Sequence, residues 1–162
     1  MIKTLFLDVD GTLTDGQIYI SNDGEAMKSF HAHDAVGLRK LPQEGINTII
    51  ITGRESNIVN IRAKEMNITE VYQNVSDKKE KVLEIMKKNN LKKEEVAYIG
   101  DDENDYEAML CCENRACPKN ATFKIKDISN YVSNYDGGYG AVREYCEFLL
   151  NYNESKKGSK NN

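Results

Sequence analysis

Short apolar runs bounded by turn residues alternate along this chain with segments whose apolar positions recur at helical spacing. That alternation predicts βαβ units around a parallel sheet. Residues 3–7 predict a strand that ends in Asp8-Val9-Asp10-Gly11. Residues 17–20 and 26–30 flank Asn22-Asp23-Gly24, residue types that tolerate positive φ, and so predict a β-hairpin. A short helix is expected after Asp34, with Val36, Leu38 and Leu41 as its apolar positions and a stop before Pro42. Residues 46–51 predict a buried strand running into Thr52-Gly53-Arg54. Ser56 then stands where a cap belongs, before a helix carrying Ile58, Val59, Ile61, Ala63 and Met66 at helical spacing.

The second half repeats the alternation. Residues 70–72 predict a short strand, and Ser76 is read as the cap of a helix with Val82, Leu83, Ile85 and Met86 inward and its lysines in solvent. Residues 96–99 predict a strand ending in Gly100-Asp101-Asp102, followed by a helix through 108–110 and a small strand near 116–118. Gly137-Gly138-Tyr139-Gly140 precedes a last helix in which Val142, Tyr145, Cys146 and Leu149 space helically. The fold class expected is α/β: a Rossmann-like, doubly wound parallel sheet with a β-hairpin insertion and no cap domain. Residues 1–150 read as one domain and residues 151–162, polar and lysine-rich, as a frayed, disordered tail.

Composition narrows the partners. Of 162 residues, 40% are hydrophobic, enough for one sizeable core. The net charge of −4 lacks the basic field of a nucleic-acid binder. No apolar run is long enough to span a bilayer, and no apolar leader follows Met1, so no membrane partner and a cytoplasmic location are expected. Cys111 and Cys112 are adjacent and Cys117 and Cys146 lack CxxC spacing, so the thiols read as small buried hydrophobes.

The candidate chemistry gathers at three strand ends: Asp8 with Asp10, Thr52 with Gly53, and Asp101, Asp102 and Asp105. In an open α/β sheet such ends converge on the ligand crevice. Carboxylates packed that closely repel one another unless a hard divalent cation sits among them. Oxygen donors without clustered His or Cys point to Mg²⁺. Lys78 would supply a single positive charge. Helix capping could account for Asp102 or Asp105 alone, but not for the whole set. Thr12 reads as a turn residue.

These residues resemble the haloacid dehalogenase superfamily. Asp8-Val-Asp-Gly-Thr-Leu-Thr14 matches its first motif, Thr52-Gly53 its second, Lys78 its third, and Gly100-Asp101-Asp102 with Asp105 its fourth. The resemblance implies that Asp8 attacks phosphorus and forms an aspartyl-phosphate, and that Asp10 serves as general acid and then base. It implies a Mg²⁺ held by Asp8, the Asp10 carbonyl and Asp101. Thr52, Gly53 and Lys78 would then bind phosphoryl oxygens, and Asp102 and Asp105 would orient Lys78 and the metal's waters.

Neither gap between motifs has room for an α/β cap. Either a macromolecular substrate covers the site or neighbouring subunits close it. Asp15-Gly16-x-Ile18-Tyr19, Lys28-Ser-Phe30, Thr52-Gly-Arg-Glu-Ser56, Arg62-Ala63 and Gly137-Gly-Tyr-Gly-Ala-Val-Arg-Glu144 are similar to the 3-deoxy-D-manno-octulosonate 8-phosphate phosphatases. That likeness implies a sugar acid phosphate substrate and a homotetramer in which a neighbour's C-terminal segment reaches over each site. It makes Arg54, Asp34 and Arg62 candidate substrate residues, with Arg54 suited to the sugar's carboxylate and Arg143 a further candidate. Where that family carries Arg-Asp-Gly-Tyr-Gly, this chain has His33-Asp34-Ala35-Val36-Gly37, which leaves nonulosonate (sialic-acid-type) 9-phosphates open. A non-catalytic oligomerisation domain, related to those appended to acylneuraminate cytidylyltransferases, and an open-site protein phosphatase are also compatible with parts of the pattern. His31 and His33 read as a metal pair or as substrate-facing or exposed residues.

Overall fold

The computed structural model of the chain describes residues 1–158. In chain order the elements are β1 (Thr4–Leu7), a hairpin of β2 (Tyr19–Ser21) and β3 (Gly24–Met27), and α1 (Ala32–Lys40). Then come β4 (Asn47–Ile51), α2 (Asn57–Glu65), β5 (Glu70–Tyr72), α3 (Lys78–Lys88), β6 (Val96–Ile99) and α4 (Glu103–Met109). The chain continues through β7 (Asn114–Cys117), α5 (Phe123–Ile128), β8 (Tyr131–Val132) and α6 (Ala141–Gly158). Six strands form one parallel sheet in the order β5-β4-β1-β6-β7-β8. The chain winds outward from β1 to β5, then crosses to β6 on the other side of β1. The doubly wound sheet expected from the sequence is therefore present, and its direction reverses beside β1, where a crevice must open at the carboxyl ends of the strands.

Both faces of the sheet are covered, and the period-two alternation of each strand divides its side chains between two cores. Leu5, Leu7, Ile50, Ala97 and Ile99 pack with residues of α1, α2 and α6, such as Leu38, Val59, Ala63, Val142 and Leu149. Phe6, Ile49, Ile51, Val96 and Tyr98 pack with Val82, Ile85, Met86, Ala108 and Ile125 of α3, α4 and α5. Three of the four cysteines are buried and Cys111 is half-buried, all as free thiols. No helix among the described residues is long and apolar enough to cross a membrane.

Local chemistry moves several boundaries. α1 begins at Ala32, earlier than expected, because the ring of His31 accepts the His33 N–H and caps it. Asp77 rather than Ser76 caps α3, its carboxylate accepting the Glu80 N–H at 2.9 Å. The hairpin pairs over fewer residues than predicted, with an irregularity between Tyr19 and Ile20. α5 and β8, of six and two residues, are too short to leave a periodic signal.

One expectation about the C-terminal end is corrected. Residues 151–158 are not a frayed tail but the last turns of α6; positions 159–162 lie outside the described residues. The cause is Asn153, fully buried, whose amide accepts the Ile2 N–H at 2.7 Å and donates to the Ile2 carbonyl at 2.8 Å. The segment from Gly137 onward packs against its own chain. A Cβ on Gly137 would lie 1.9 Å from the Gly11 carbonyl oxygen, so the glycine lets this turn press against the loop after β1 of its own chain. Val142, Tyr145, Cys146 and Leu149 then fill the chain's own core.

Candidate functional site

The sheet register carries on past β1, since the Asp8 N–H donates to the Ile99 carbonyl at 3.1 Å. The chain then turns sharply, the N–H groups of Thr12, Leu13 and Thr14 all converging on the Val9 carbonyl. Gly11 sits in this turn at φ 89°, and a Cβ there would lie 1.9 Å from Asp101 Oδ2. Only glycine allows the loops after β1 and β6 to approach this closely.

Buried Lys78, the first residue of α3, donates to Asp8 Oδ1 and to Asp105 Oδ1, each at 2.7 Å. Asp105 is fully buried and accepts four hydrogen bonds: from Lys78 and the Tyr98 hydroxyl on one oxygen, and from the N–H groups of Asp101 and Asp102 on the other. That uses its acceptor capacity, so its job is to aim Lys78 and to hold the loop after β6. Asp102 caps α4 in a capping box with Asp105 and also lines the crevice. Thr12, read as a turn residue, proves to be fully buried and to donate its hydroxyl to Asp8 Oδ2 at 3.2 Å. Two donors thereby fix the plane of the Asp8 carboxylate.

Oxygens of Asp8, Asp101 and Asp105 lie within 4.8 Å of one another, against the single charge of Lys78. Burial, and then the neighbouring Asp8, push the Asp101 carboxyl up to about 9. Burial and Asp8 also lift Asp105, to about 6, against the pull of Lys78. Burial favours loss of the Lys78 proton, yet Asp8 and Asp105 outweigh it and hold the ammonium charged. So strained a set of hard oxygen donors fits a divalent cation. With Asp105 saturated, Asp8 and Asp101 are the carboxylates available to it.

Asp8, Asp10, Thr52, Gly53, Arg54, Asp101 and Asp102 all line one crevice of about 240 Å³. Pockets that enclose a drug-sized ligand run to roughly 300–1,000 Å³, so this one takes a phosphoryl group and leaves the rest of a sugar outside. Gly16, which the sequence marks only within a family-like segment, and Asn104, which no motif singles out, complete the lining. Lys28, at the end of the hairpin, is marked in the sequence only within a family-like segment that gives it no role, and it pairs with Asp10.

Two candidate substrate residues lie elsewhere. Asp34 is buried under α6, where its carboxylate accepts the Arg143 N–H at 2.8 Å and caps that helix; Arg143 itself pairs with Glu147. Arg62 donates to the His31 carbonyl and to Glu65, tying α2 to the start of α1. His31 is a helix cap in edge contact with His33, and neither joins an acidic cluster among the described residues.

The sequence profile of haloacid dehalogenase-like hydrolases matches residues 55–142. The 3-deoxy-D-manno-octulosonate 8-phosphate phosphatase KdsC of Yersinia pestis is 37% identical over 158 residues, covering 98% of this chain and 84% of that protein. Its counterpart from Escherichia coli K12 is 38% identical over 149 residues, covering 92% and 79%. The cobalt-bound deoxy-D-mannose-octulosonate 8-phosphate phosphatase of Haemophilus influenzae has a TM-score of 0.90 at 33% identity, covering 94% of this chain and 90% of that one. The Moraxella catarrhalis phosphatase, solved with a magnesium ion, a phosphate ion and a KDO molecule, has a TM-score of 0.89 at 37% identity, covering 98% and 92%. With the four motif loops meeting at one crevice and likenesses of this extent, the chain belongs to the haloacid dehalogenase-like hydrolases, in the family of 3-deoxy-D-manno-octulosonate 8-phosphate phosphatases, and is a phosphatase.

Proposed function

We propose that the chain is a Mg²⁺-dependent phosphomonoesterase that hydrolyses 3-deoxy-D-manno-octulosonate 8-phosphate through an aspartyl-phosphate on Asp8. The observation that carries the chemistry is Lys78 clamped between Asp8 and Asp105 beside Asp101. Identity of 37–38% to octulosonate 8-phosphate phosphatases over most of the chain supports the substrate.

Asp8, oriented by Lys78 and Thr12, attacks phosphorus. The phosphorus–sugar oxygen bond breaks as the new bond to Asp8 forms, and Asp10 gives its proton to the departing alkoxide. Water then attacks the aspartyl-phosphate, returning a proton to Asp10 and releasing phosphate and Asp8. Thr52, the Gly53 backbone and Lys78 hold the phosphoryl oxygens while charge builds on them. Asp8, the Asp10 carbonyl and Asp101 would hold Mg²⁺, which when bound offsets the repulsion between a carboxylate nucleophile and a phosphate dianion.

Arg54, at the crevice mouth, is assigned to the sugar's carboxylate, since a guanidinium pairs with it bidentately. Asp34 and Gly37 pack against α6 within the chain, so the altered sequence around them gives no local reason to prefer a nonulosonate. A crevice this small and uncapped needs a lid, which we assign to a cytoplasmic homotetramer. Ile18, Tyr19, Ile20 and Met27 leave the hairpin with exposed apolar side chains that support such packing. The intermediate is tested by quenching turnover with acid and reducing with borohydride, which converts an aspartyl-phosphate to homoserine. Peptide mass spectrometry should find the change at Asp8; modification at another aspartate, or at none, would overturn the assignment.

A further inference from the structure

Lys28 lies outside the four motif loops, yet its side chain is only 2% exposed and its ammonium stands 2.6 Å from Asp10 Oδ1 and 2.9 Å from Glu25 Oε2. Glu25, on β3, accepts a short hydrogen bond from the Ser56 hydroxyl, and the Ser56 N–H donates to Gln73 Oε1 at 2.7 Å. A polar strap therefore runs from Asp10 through the hairpin to the loop before α2 and the end of β5. Burying an ammonium costs free energy unless its hydrogen bonds are met, and two carboxylates meet them here. Lys28 ties the hairpin to the site, and Asp10 Oδ1 is occupied by it.

We propose that Lys28 is a positioning residue for proton transfer: it fixes the Asp10 carboxylate through Oδ1, presents Oδ2 to the leaving group, and is itself held by Glu25 and Ser56. The proposal rests on the reading of Asp10 as the general acid–base. In the first step the proton on Asp10 Oδ2 passes to the departing sugar oxygen as Asp8 bonds to phosphorus. In the second step the same oxygen takes a proton from the attacking water as the Asp8–phosphorus bond breaks. A misaligned Asp10 hurts a leaving group that needs the proton and spares one that leaves as a stable anion.

The test compares octulosonate 8-phosphate, which leaves as an alkoxide, with 4-nitrophenyl phosphate, which leaves as a weakly basic phenolate. Rapid-quench measurement of phosphoryl transfer from each is made with wild type, Lys28→Met, Lys28→Arg and Glu25→Gln, all with Mg²⁺. Lys28→Met should slow transfer from the sugar phosphate about 100-fold, in the range of a lost general acid, with KM little changed. Its nitrophenolate burst should fall less than about threefold on the same scale. Lys28→Arg should restore at least tenfold of the loss, and Glu25→Gln should show the same bias more weakly. Equal losses on both substrates, or a raised KM with unchanged kcat, would overturn the proposal. If Lys28→Met fails to fold, Glu25→Gln and Lys28→Arg carry the same comparison. Wild type inactive on both substrates would instead sink the phosphatase reading.

Discussion

Replacing Asp101 by Asn should stabilise the metal-free protein, because the cluster beside Gly11 holds more negative charge than Lys78 can offset. Burial and Asp8 move the Asp101 carboxyl from an ordinary 3.8 to about 9. At pH 7 the unfolded chain ionises Asp101 and the folded chain keeps it protonated. The ionisation forgone is worth about 4 kcal/mol at 1.36 kcal/mol per pH unit. The folded pKa is raised, so the wild type has lost nothing on this account below about pH 4, loses stability as pH rises toward 9, and loses no more beyond. An amide of the same shape can still donate to Asp8 and carries no charge. Asp101→Asn should therefore gain about 2–4 kcal/mol at pH 7 in EDTA, or roughly 5–15 °C in melting temperature. Urea melts at pH 4, 6 and 8 in EDTA read this directly, with the gain near zero at pH 4 and largest at pH 8. Saturating Mg²⁺ should then narrow the gap, since the wild type gains about 2.7 kcal/mol at a hundred times its Kd and the variant gains little. A variant no more stable than wild type at pH 8, or equally stabilised at pH 4 and 8, would refute the reasoning.

Three further outcomes follow from the geometry. Asn153→Ala strands the buried N–H and carbonyl of Ile2 and should cost about 2–4 kcal/mol in urea melts; a cost under about 0.5 kcal/mol would mean that the end of α6 is not anchored there. Thr12→Val keeps the shape but removes a hydrogen bond to the Asp8 carboxylate, and should lower kcat about 10-fold or more with Mg²⁺ affinity nearly unchanged; an unchanged kcat would return Thr12 to a turn role. Arg54→Ala should impair sugar acid phosphates far more than 4-nitrophenyl phosphate, and equal losses in steady-state kcat/KM would assign Arg54 to the phosphoryl group instead.

Most of the sheet was legible because its central strands are buried on both faces and therefore read as unbroken apolar runs, as in residues 96–99. The crevice was legible for a related reason: strand ends mark themselves by an abrupt change from apolar to acidic or Thr-Gly residues, so Asp8, Thr52 and Asp101 could be placed before any coordinates. Contacts made far along the chain were not. Lys28 looks like any hairpin lysine until the fold brings Asp10 within reach, 18 positions away. Asn153 sits in a polar stretch whose hydrophilicity suggests fraying, yet its partner Ile2 is 151 positions distant. Asp34 was selected by its place in a family pattern, and pattern cannot tell a substrate contact from a cap on a neighbouring helix. Asn104 carried no signal beyond a polar residue in the first turn of α4.

The most direct test of the central claim is phosphate release with Mg²⁺ from a panel of octulosonate 8-phosphate, nonulosonate 9-phosphates, common hexose phosphates and a phosphopeptide. Asp8→Asn, folded but expected to be inactive, is the control. The account predicts kcat/KM for octulosonate 8-phosphate at least about a hundredfold above every other member, about 2.7 kcal/mol of differential transition-state binding. A preference for a nonulosonate phosphate or the phosphopeptide would contradict the assigned substrate, and turnover surviving in Asp8→Asn would contradict the chemistry itself.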